Sequence, residues 1–145
     1  MLTTENKNIQ VKKVTDQDSL KTVHAIRREV FVDEQHCPAD LEYANEDEST
    51  HFLAILDGEP AGACRWRKTD NGYKLERFAV LKKFRGMGVA GQMIQAVLND
   101  LPADAGYIYL NSQVDAVPVY AKFNFVAEGP EFVEAGIRHF RMVKI

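Results

Sequence analysis

Residues 85–91 decide the fold and read Arg85-Gly86-Met87-Gly88-Val89-Ala90-Gly91. They follow a stretch with β-type alternation, residues 73–80, and precede a segment whose apolar residues recur at helical spacing. Small residues let a backbone approach an anion closely, and the unpaired N–H groups at a helix start carry a partial positive charge. Three basic side chains stand in or beside the loop, Lys82, Lys83 and Arg85. This combination predicts a cradle for a phosphate or diphosphate group.

Other kinds of glycine-rich turn are alternatives at this position. The spacing of Gly86, Gly88 and Gly91 also fits the dinucleotide fingerprint, but a Rossmann domain places that loop in its first βα turn and an acid at the end of the next strand. Here three predicted strands precede the loop, and the next strand ends in Leu110-Asn111-Ser112. A P-loop needs Gly-Lys-Ser/Thr, which the loop lacks. A plain turn needs no cations, so the basic residues favour an anion site over it.

The remaining elements are predicted from apolar periodicity and turn residues. Strands are expected at 9–14, 51–56, 60–67, 73–80, 107–110, 125–126 and 137–143, and helices at 17–32, 89–98 and 117–123. Thr15 is expected to cap the first helix, and residues 33–50 to be acidic and irregular. A tight hairpin turn is expected at Asp57-Gly58. The order describes one α+β domain, residues 1–145, with a mixed, mostly antiparallel sheet, since the helix at 89–98 joins strands that should be parallel.

The loop also carries a family signature. The pattern Arg85-x-x-Gly88-x-Ala90 matches the Arg/Gln-x-x-Gly-x-Gly/Ala motif of the GNAT superfamily of N-acetyltransferases, in the strand-loop-helix position that this family uses. Nearly the whole chain resembles a bacterial GNAT subgroup similar to the YjcF and ElaA proteins. The matching segments are Ile26-Arg27-Arg28-Glu29-Val30-Phe31-Val32-x-Glu34-Gln35, Asp57-Gly58-x-Pro60-x-Gly62 and Glu134-Ala135-Gly136-Ile137-x-His139. The resemblance implies helices on both faces of the sheet and a splayed parallel strand pair that holds the cofactor.

The same resemblance implies an acyltransferase that uses acetyl-coenzyme A. The acetyl group would pass to a primary amine by direct attack through a tetrahedral intermediate. In this family the loop amides bind the coenzyme A diphosphate, a role that falls here on Arg85, Gly86, Met87, Gly88, Val89, Ala90 and Gly91. The strand end Phe78-Ala79-Val80 is implied to pair with the pantetheine arm, and Asn111 and Gln113 to bond its amides. An alternative is a regulatory module that binds coenzyme A without turnover, because the sequence identifies no certain catalytic base.

Two residues are the catalytic candidates. Tyr120 occupies the position of the family's general acid, in the segment Tyr120-Ala121-Lys122-Phe123-Asn124-Phe125, and its alternative interpretation is a core aromatic. Asn124 stands where the family usually has glycine, and asparagine is the next-best residue at a helix end with positive φ. Glu76 is the candidate base that deprotonates the amine, and a solvated strand residue is its alternative.

The acceptor is expected to be a small-molecule or peptide amine. Glu29, Glu34 and the acidic segment 42–48 could attract a cationic amine, or could simply form a hydrated face. His139 and Cys37 are expected near the acceptor pocket, although a buried thiol without a cation nearby would be inert packing. Arg65 and Arg67 make one face of their strand cationic, which is typical of a solvated surface.

Composition limits the partners. The net charge of −3 argues against nucleic acid and anionic membranes, which attract a surplus of lysine and arginine. The sequence contains no apolar run of membrane-spanning length and no recognisable signal peptide, so the cytoplasm is the expected location. There Cys37 and Cys64 should be thiols, and the scattered histidines show no metal-ligand spacing, so no metal is expected. The sequence does not indicate the oligomeric state, and we take a homodimer as the expectation.

Overall fold

The structure, a computed structural model, describes residues 8–37 and 45–145. Within these residues the strands are β1 (Ile9–Lys13), β2 (Ser49–Leu56), β3 (Glu59–Thr69), β4 (Gly72–Val80), β5 (Ile108–Gln113), β6 (Phe125–Glu134) and β7 (Ile137–Lys144). They form a seven-stranded sheet in the order β1-β2-β3-β4-β5-β7-β6. Only β4 and β5 pair in parallel, and the other neighbours are antiparallel. The predicted mixed, mostly antiparallel α+β fold is confirmed.

Helices cover both faces of this sheet. They are α1 (Gln17–Arg27), α2 (Val89–Asp100) and α3 (Val117–Ala121). Side chains alternate along a strand, so Leu53 and Ala63 face α1 in one apolar cluster, while Phe52 and Cys64 belong to the cluster formed with α2. Two cores therefore hold the sheet rigid between its helical layers. None of the helices in the described ranges is long and apolar enough to span a bilayer.

The first helix differs from its prediction at both ends. Asp16, not Thr15, is the N-cap, because its carboxylate accepts the Ser19 N–H at 2.7 Å. The α-helix ends at Arg27 and continues as a π-helical segment, Arg28–Glu34. The sequence predicted helix only to residue 32, with no change of type. The wider turn still buries Val30 and Phe31, so apolar spacing alone does not distinguish the two helix types.

Strand β6 is longer than predicted. The sequence indicated only residues 125–126, because glutamates, Gly129 and Pro130 follow. In the structure β6 runs to Glu134 as an edge strand, with a shift in register between Glu128 and Phe132 that accommodates Gly129 and Pro130. Proline is tolerated at a bulge on a sheet edge because its missing N–H faces no neighbour. Edge strands therefore escape a search for alternating apolar residues.

The parallel pair splays apart and so positions the functional site. Pairing between β4 and β5 ends at Leu75↔Leu110, which leaves residues 76–80 and 111–113 without a strand neighbour on their facing edges. Arg77 has φ +60° and creates a bulge, since Arg77 and Phe78 together oppose Cys64 on β3. A bulge bends its strand and increases the local twist. The sheet therefore opens into a cleft beside the loop that precedes α2.

Candidate active site

The predicted diphosphate site is open. A cavity of about 750 Å³ lies between the loop after β4 and helix α3. No side chain caps α2, and its first hydrogen bond runs from Gln92 N–H to Gly88 O (3.1 Å), so the amides of residues 89–91 have no helical acceptor. A Cβ atom on Gly86 or Gly88 would meet nothing within 4 Å. An anion therefore has both room and donors at this helix start.

The signature arginine is already engaged. Both terminal nitrogens of Arg85 contact the Glu34 carboxylate at 2.7 Å, and its Nε donates to Val80 O at 3.0 Å. The Glu34 hydrogen bonds raise the pKa of Arg85, and those same bonds lower the pKa of Glu34. The pair ties the end of the π-helical segment to the loop. Arg85 thus fixes the shape of the cradle, and the backbone amides remain as its anion donors.

The edge of β4 faces the cleft with backbone groups that no strand pairs, although the Val80 carbonyl already accepts from Arg85 Nε. Leu81 N–H donates to Ala61 O on β3 (2.9 Å), and backbone groups alternate along a strand. The N–H and C=O groups of Phe78 and Val80 therefore point away from β3, toward the splayed side. Across the gap, the Oδ1 atom of Asn111 is buried without a hydrogen-bond partner among the described residues. Asn111 lines a second, smaller cavity, so its amide oxygen is an acceptor available to a ligand at this edge.

A second cavity adjoins the first on the α1 face of the sheet. It measures about 290 Å³ and lies over the bulge of β4. Phe78 lines both cavities, and so do Gln35, Gln113 and Ala116. Gln113 donates to Gln35 at 2.9 Å, which holds β5 to the π-helical segment at this boundary. Two ligands entering from opposite sides would meet at Phe78.

Tyr120 lies at this meeting point. It lines the smaller cavity, and its ring packs edge-on against Phe78 and Phe125, with centroids 5.7 and 6.2 Å away. Burial, followed by the nearby Cys64, raises the pKa of Tyr120. The phenol therefore keeps its proton at neutral pH and remains a donor. The structure brings Tyr120 beside the predicted cofactor-binding strand end.

Glu76 also lines the smaller cavity but is surrounded by cations. Its carboxylate contacts Arg65 and Arg67 at 2.7 Å and Lys74 at 3.3 Å. Burial alone would raise the pKa of Glu76, but these three charges outweigh it and lower the pKa from 4.5 to about 2. So acidic a carboxyl group is a weak proton acceptor. The role of Glu76 as the catalytic base stays a prediction, and the positive charges around Glu76 make that role unfavourable.

In the described part of the acidic segment, Glu46 is paired with cations, whereas Asp47 and Glu48 face solvent. Glu46 is drawn into a buried cluster, where it contacts Arg27 and Arg65 at 2.9 Å and also pairs with His24. Burial would raise the pKa of Glu46, but the Arg27 and His24 hydrogen bonds lower it. Asp47 and Glu48 are exposed, and neither lines the cavity. Residues 42–44 of that predicted segment lie outside the described residues.

The sequence suggested that Arg65 and Arg67 on β3 form a solvated surface. For Arg65 this interpretation is wrong. Its side chain is 1% exposed and bridges Glu46 and Glu76. Arg67 is 17% exposed and stands at the cavity wall. A sequence signal existed, since Arg65 and Glu76 face each other across predicted neighbouring strands. The two-residue turn at Asp70-Asn71 sets the register that pairs Arg65 with Glu76, and the bulge of β4 lies beyond that pair. The hairpin alone could therefore have predicted this contact.

His139 and Cys37 both line the smaller cavity, as expected. The Nδ1 atom of His139 lies 2.7 Å from Ile137 O, so Nδ1 carries the hydrogen and donates it. The ring stacks on Phe132 with centroids 5.7 Å apart. In the neutral ring this leaves Nε2 as an acceptor. No group of three metal-ligating side chains occurs among residues 8–37 and 45–145.

Known proteins resemble this chain in sequence and in fold. The chain matches the family described as Acetyltransferase (GNAT) domain over residues 10–145. The N-acetyltransferase YjcF of Bacillus subtilis (strain 168) is 41% identical over 133 residues, 89% of this chain and 94% of YjcF. This chain belongs to the GNAT acetyltransferase family.

Solved structures agree on the GNAT fold. Escherichia coli ElaA is 22% identical, with a TM-score of 0.80 over 95% of this chain and 100% of that one. A GNAT family acetyltransferase from Elizabethkingia anophelis, solved with acetyl-CoA bound, is 14% identical, with a TM-score of 0.69 over 94% of this chain and 97% of that one. The family and its N-acetyltransferase relatives identify this chain as an acyltransferase enzyme.

The loop that carries the GNAT motif forms one wall of the larger cavity. Gly88, the glycine of the motif, and Gly86 beside it have φ of +88° and +80°, where only glycine is unstrained. Asn124, at the position where the family usually has glycine, has φ +66°, so the substitution keeps the same turn. These backbone conformations are local, and they follow directly from the residues of the motif.

The three-cation environment of Glu76 leads to a stability prediction. The folded carboxyl group has a lower pKa than the unfolded one, so it stabilises the fold above pH 4.5 and loses that contribution as the pH falls toward 2. A pKa difference of this size corresponds to about 3 kcal/mol. We expect Glu76→Gln to lower the unfolding free energy by about that amount at pH 7, and by about half as much at pH 3. Urea unfolding at both pH values measures it.

The control for this experiment is Glu131→Gln. Glu131 pairs with Arg138 at the surface, at 2.6 Å, and solvent screens that pair. Its loss should change the urea midpoint little at either pH. An equal loss of stability at pH 7 and pH 3 in Glu76→Gln would contradict the ionised, cation-bound state of Glu76.

Proposed function

We propose that this chain transfers an acetyl group from acetyl-coenzyme A to a primary amine by direct attack, without a covalent enzyme intermediate. The observation that carries the proposal is the junction of the two cavities at Phe78. One cavity offers helix-start amides to a diphosphate, and the other offers space for an acceptor. Because both reach the same point beside Tyr120, an amine can approach the thioester directly.

Coenzyme A suits the larger cavity. The amides of residues 86–91 would bind its diphosphate, and Phe78 and Val80 would pair with the pantetheine arm as a strand pairs with its neighbour. Asn111 Oδ1, buried without a partner among the described residues, would accept an amide hydrogen from that arm. The Elizabethkingia anophelis protein of the same fold holds acetyl-CoA. A backbone N–H of β4 directed at the thioester carbonyl would contribute about 3 kcal/mol of transition-state stabilisation.

Tyr120 is the proposed proton donor. Its hydroxyl would donate to the sulfur of coenzyme A as the C–S bond breaks, which disfavours return of the thiolate. Burial among Phe78 and Phe125 keeps the hydroxyl protonated and shields it from bulk water.

The proton of the amine has two candidate acceptors in the smaller cavity. Glu76 is the one that the sequence indicated, but its pKa of about 2 makes it a weak base. His139 presents Nε2 as an acceptor because Nδ1–H is held by Ile137 O. Turnover by the folded Glu76→Gln variant distinguishes them: loss of turnover favours Glu76, and near wild-type kcat favours His139.

A thiol-release assay tests the proposed function. Acetyl-coenzyme A and the protein are mixed with a panel of primary amines, and free thiol is followed with a chromogenic disulfide. We expect release that requires both protein and amine, with the acetylated amine detected by mass spectrometry. If coenzyme A raises the melting temperature while no amine gives release above slow hydrolysis, the chain is the regulatory binding module instead.

A further inference from the structure

The charge of the smaller cavity indicates what kind of amine it accepts. Among the described residues that line it, four side chains are cationic and two are carboxylates. The cations are Arg65, Arg67, Lys74 and Arg77, and the carboxylates are Glu76 and Glu134. Glu134 is 53% exposed at the rim, so Glu76 is the main negative charge inside. Arg65 also pairs with Glu46, and Arg77 lies over the Phe31 ring. Arg67 and Lys74 are therefore the wall cations that matter for a ligand.

Arg67 and Lys74 have donors left for a ligand. Arg67 uses only its Nε for Glu76, at 2.7 Å, and its two terminal nitrogens have no partner among the described residues. Lys74 Nζ lies 3.3 Å from the other Glu76 oxygen. Both side chains are 17% exposed, so water compensates them only in part. Glu76 is shared with the buried Arg65, which also pairs with Glu46. Arg67 and Lys74 therefore share a single carboxylate that is already bonded to a third cation.

We propose that the acceptor amine carries an anionic group, a carboxylate or phosphate, which Arg67 and Lys74 bind. This inference rests on the proposed acetyl transfer and adds the substrate class to it. The two terminal nitrogens of the planar Arg67 guanidinium form one free edge, which matches a carboxylate or phosphate in bidentate geometry. An ammonium beside it adds a charge-assisted hydrogen bond. The bound anion would supply the negative charge that Glu76 alone does not.

The positions of Arg67 and Lys74 relative to Phe78 limit the length of the acceptor molecule. Lys74 and Phe78 are four residues apart, at most about 13 Å along the strand, because the bulge at Arg77 shortens this stretch. The anion would bind at Arg67 and Lys74, whereas the amine must reach the thioester near Phe78. An acceptor of this kind has its amine and its anionic group separated by several bonds, as in an ω-amino acid.

Matched pairs of acceptors test the inference. Each pair is an amine with an anionic group and its neutral counterpart: ω-amino acids of increasing length with their carboxamides, and O-phosphoethanolamine with ethanolamine. The two sets also distinguish a carboxylate from a phosphate. In the thiol-release assay we expect kcat/KM at least tenfold higher for the anionic member of the preferred pair. Arg67→Gln should reduce that ratio at least tenfold by raising KM for the anionic member.

Two further variants keep the test decisive. Lys74→Gln is the second variant if Arg67→Gln does not fold, and it should reduce the ratio in the same way. Lys68→Gln is the matched control, because Lys68 follows Arg67 on β3 but lies over the Tyr73 ring on the opposite face, 5.4 Å from its centroid. It removes the same charge and should leave the ratio as in the wild type.

The outcomes separate this inference from the proposed function. Neutral members acetylated as well as their anionic partners would overturn the anion site and leave acetyl transfer standing. If no pair releases thiol, binding to the coenzyme A-loaded protein is measured by saturation-transfer NMR. Anionic members that bind while their neutral partners do not would support the anion site and count against acetyl transfer. Binding by neither member of any pair would overturn the anion site.

Discussion

Gly88→Leu is expected to abolish coenzyme A binding, with the dissociation constant raised more than 100-fold. Gly88 has φ +88°, and its position opens onto the larger cavity, where a Cβ would meet nothing within 4 Å. The space that a leucine side chain would occupy lies beside the unpaired amides at the start of α2. A diphosphate must approach those amides at hydrogen-bond distance, so a branched side chain there excludes it. Isothermal titration with coenzyme A measures the effect.

Gly58→Leu is the matched control for this variant. Gly58 ends the β2–β3 turn with φ +85°, and a Cβ there would also meet nothing within 4 Å. Both leucines are forced into the left-handed region, which costs about 1–2 kcal/mol of stability each. Only Gly88 borders the cavity, so only Gly88→Leu should lose the ligand. If Gly88→Leu bound coenzyme A within threefold of the wild type, the loop would be a plain turn.

The parts of this molecule that the sequence predicted are those set by local chemistry. The loop at residues 85–91 combines glycines, cations and a helix start within one short segment, and Asp57-Gly58 fixes its turn through φ of +49° and +85°. The order of these locally determined segments along the chain was sufficient to predict the α+β fold. Asn124 was predicted correctly for the same reason, because a left-handed helix end selects glycine or asparagine whatever surrounds it.

The features that the sequence missed depend on distant partners. Glu46 lies 19 residues from both Arg27 and Arg65, and no pattern in the sequence predicts that these three charged side chains lie together. Arg67 and Lys74 differ in this respect, because the two-residue turn that joins β3 and β4 sets the register that places them opposite each other beside Glu76. The charge of the smaller cavity depends on which strands pair, so the acidic segment alone did not indicate it.

Tyr120→Phe should lower kcat by about 100-fold and leave the coenzyme A dissociation constant within about twofold of the wild type. Phenylalanine keeps the ring contacts with Phe78 and Phe125, at 5.7 and 6.2 Å between centroids, so packing around the cleft is retained. What disappears is one hydroxyl beside the departing sulfur. Without that donor the thiolate leaves as a free anion in a partly dry cavity, which raises the barrier for breaking the C–S bond. Steady-state kinetics at saturating acceptor, with titration calorimetry for coenzyme A, separate the two quantities.

A second tyrosine decides whether such a loss is specific to the proton donor. Tyr109 on β5 is also buried, but its hydroxyl is bonded to Thr69 Oγ1 at 2.7 Å, and it lines neither cavity. Tyr109→Phe removes one hydrogen bond, with a stability loss of about 1 kcal/mol, and should keep kcat near that of the wild type. Equal losses of kcat in both variants would indicate a general response of the fold to a missing hydroxyl. Unchanged turnover in Tyr120→Phe would remove Tyr120 from its proposed role, because a proton donor cannot act through a ring alone.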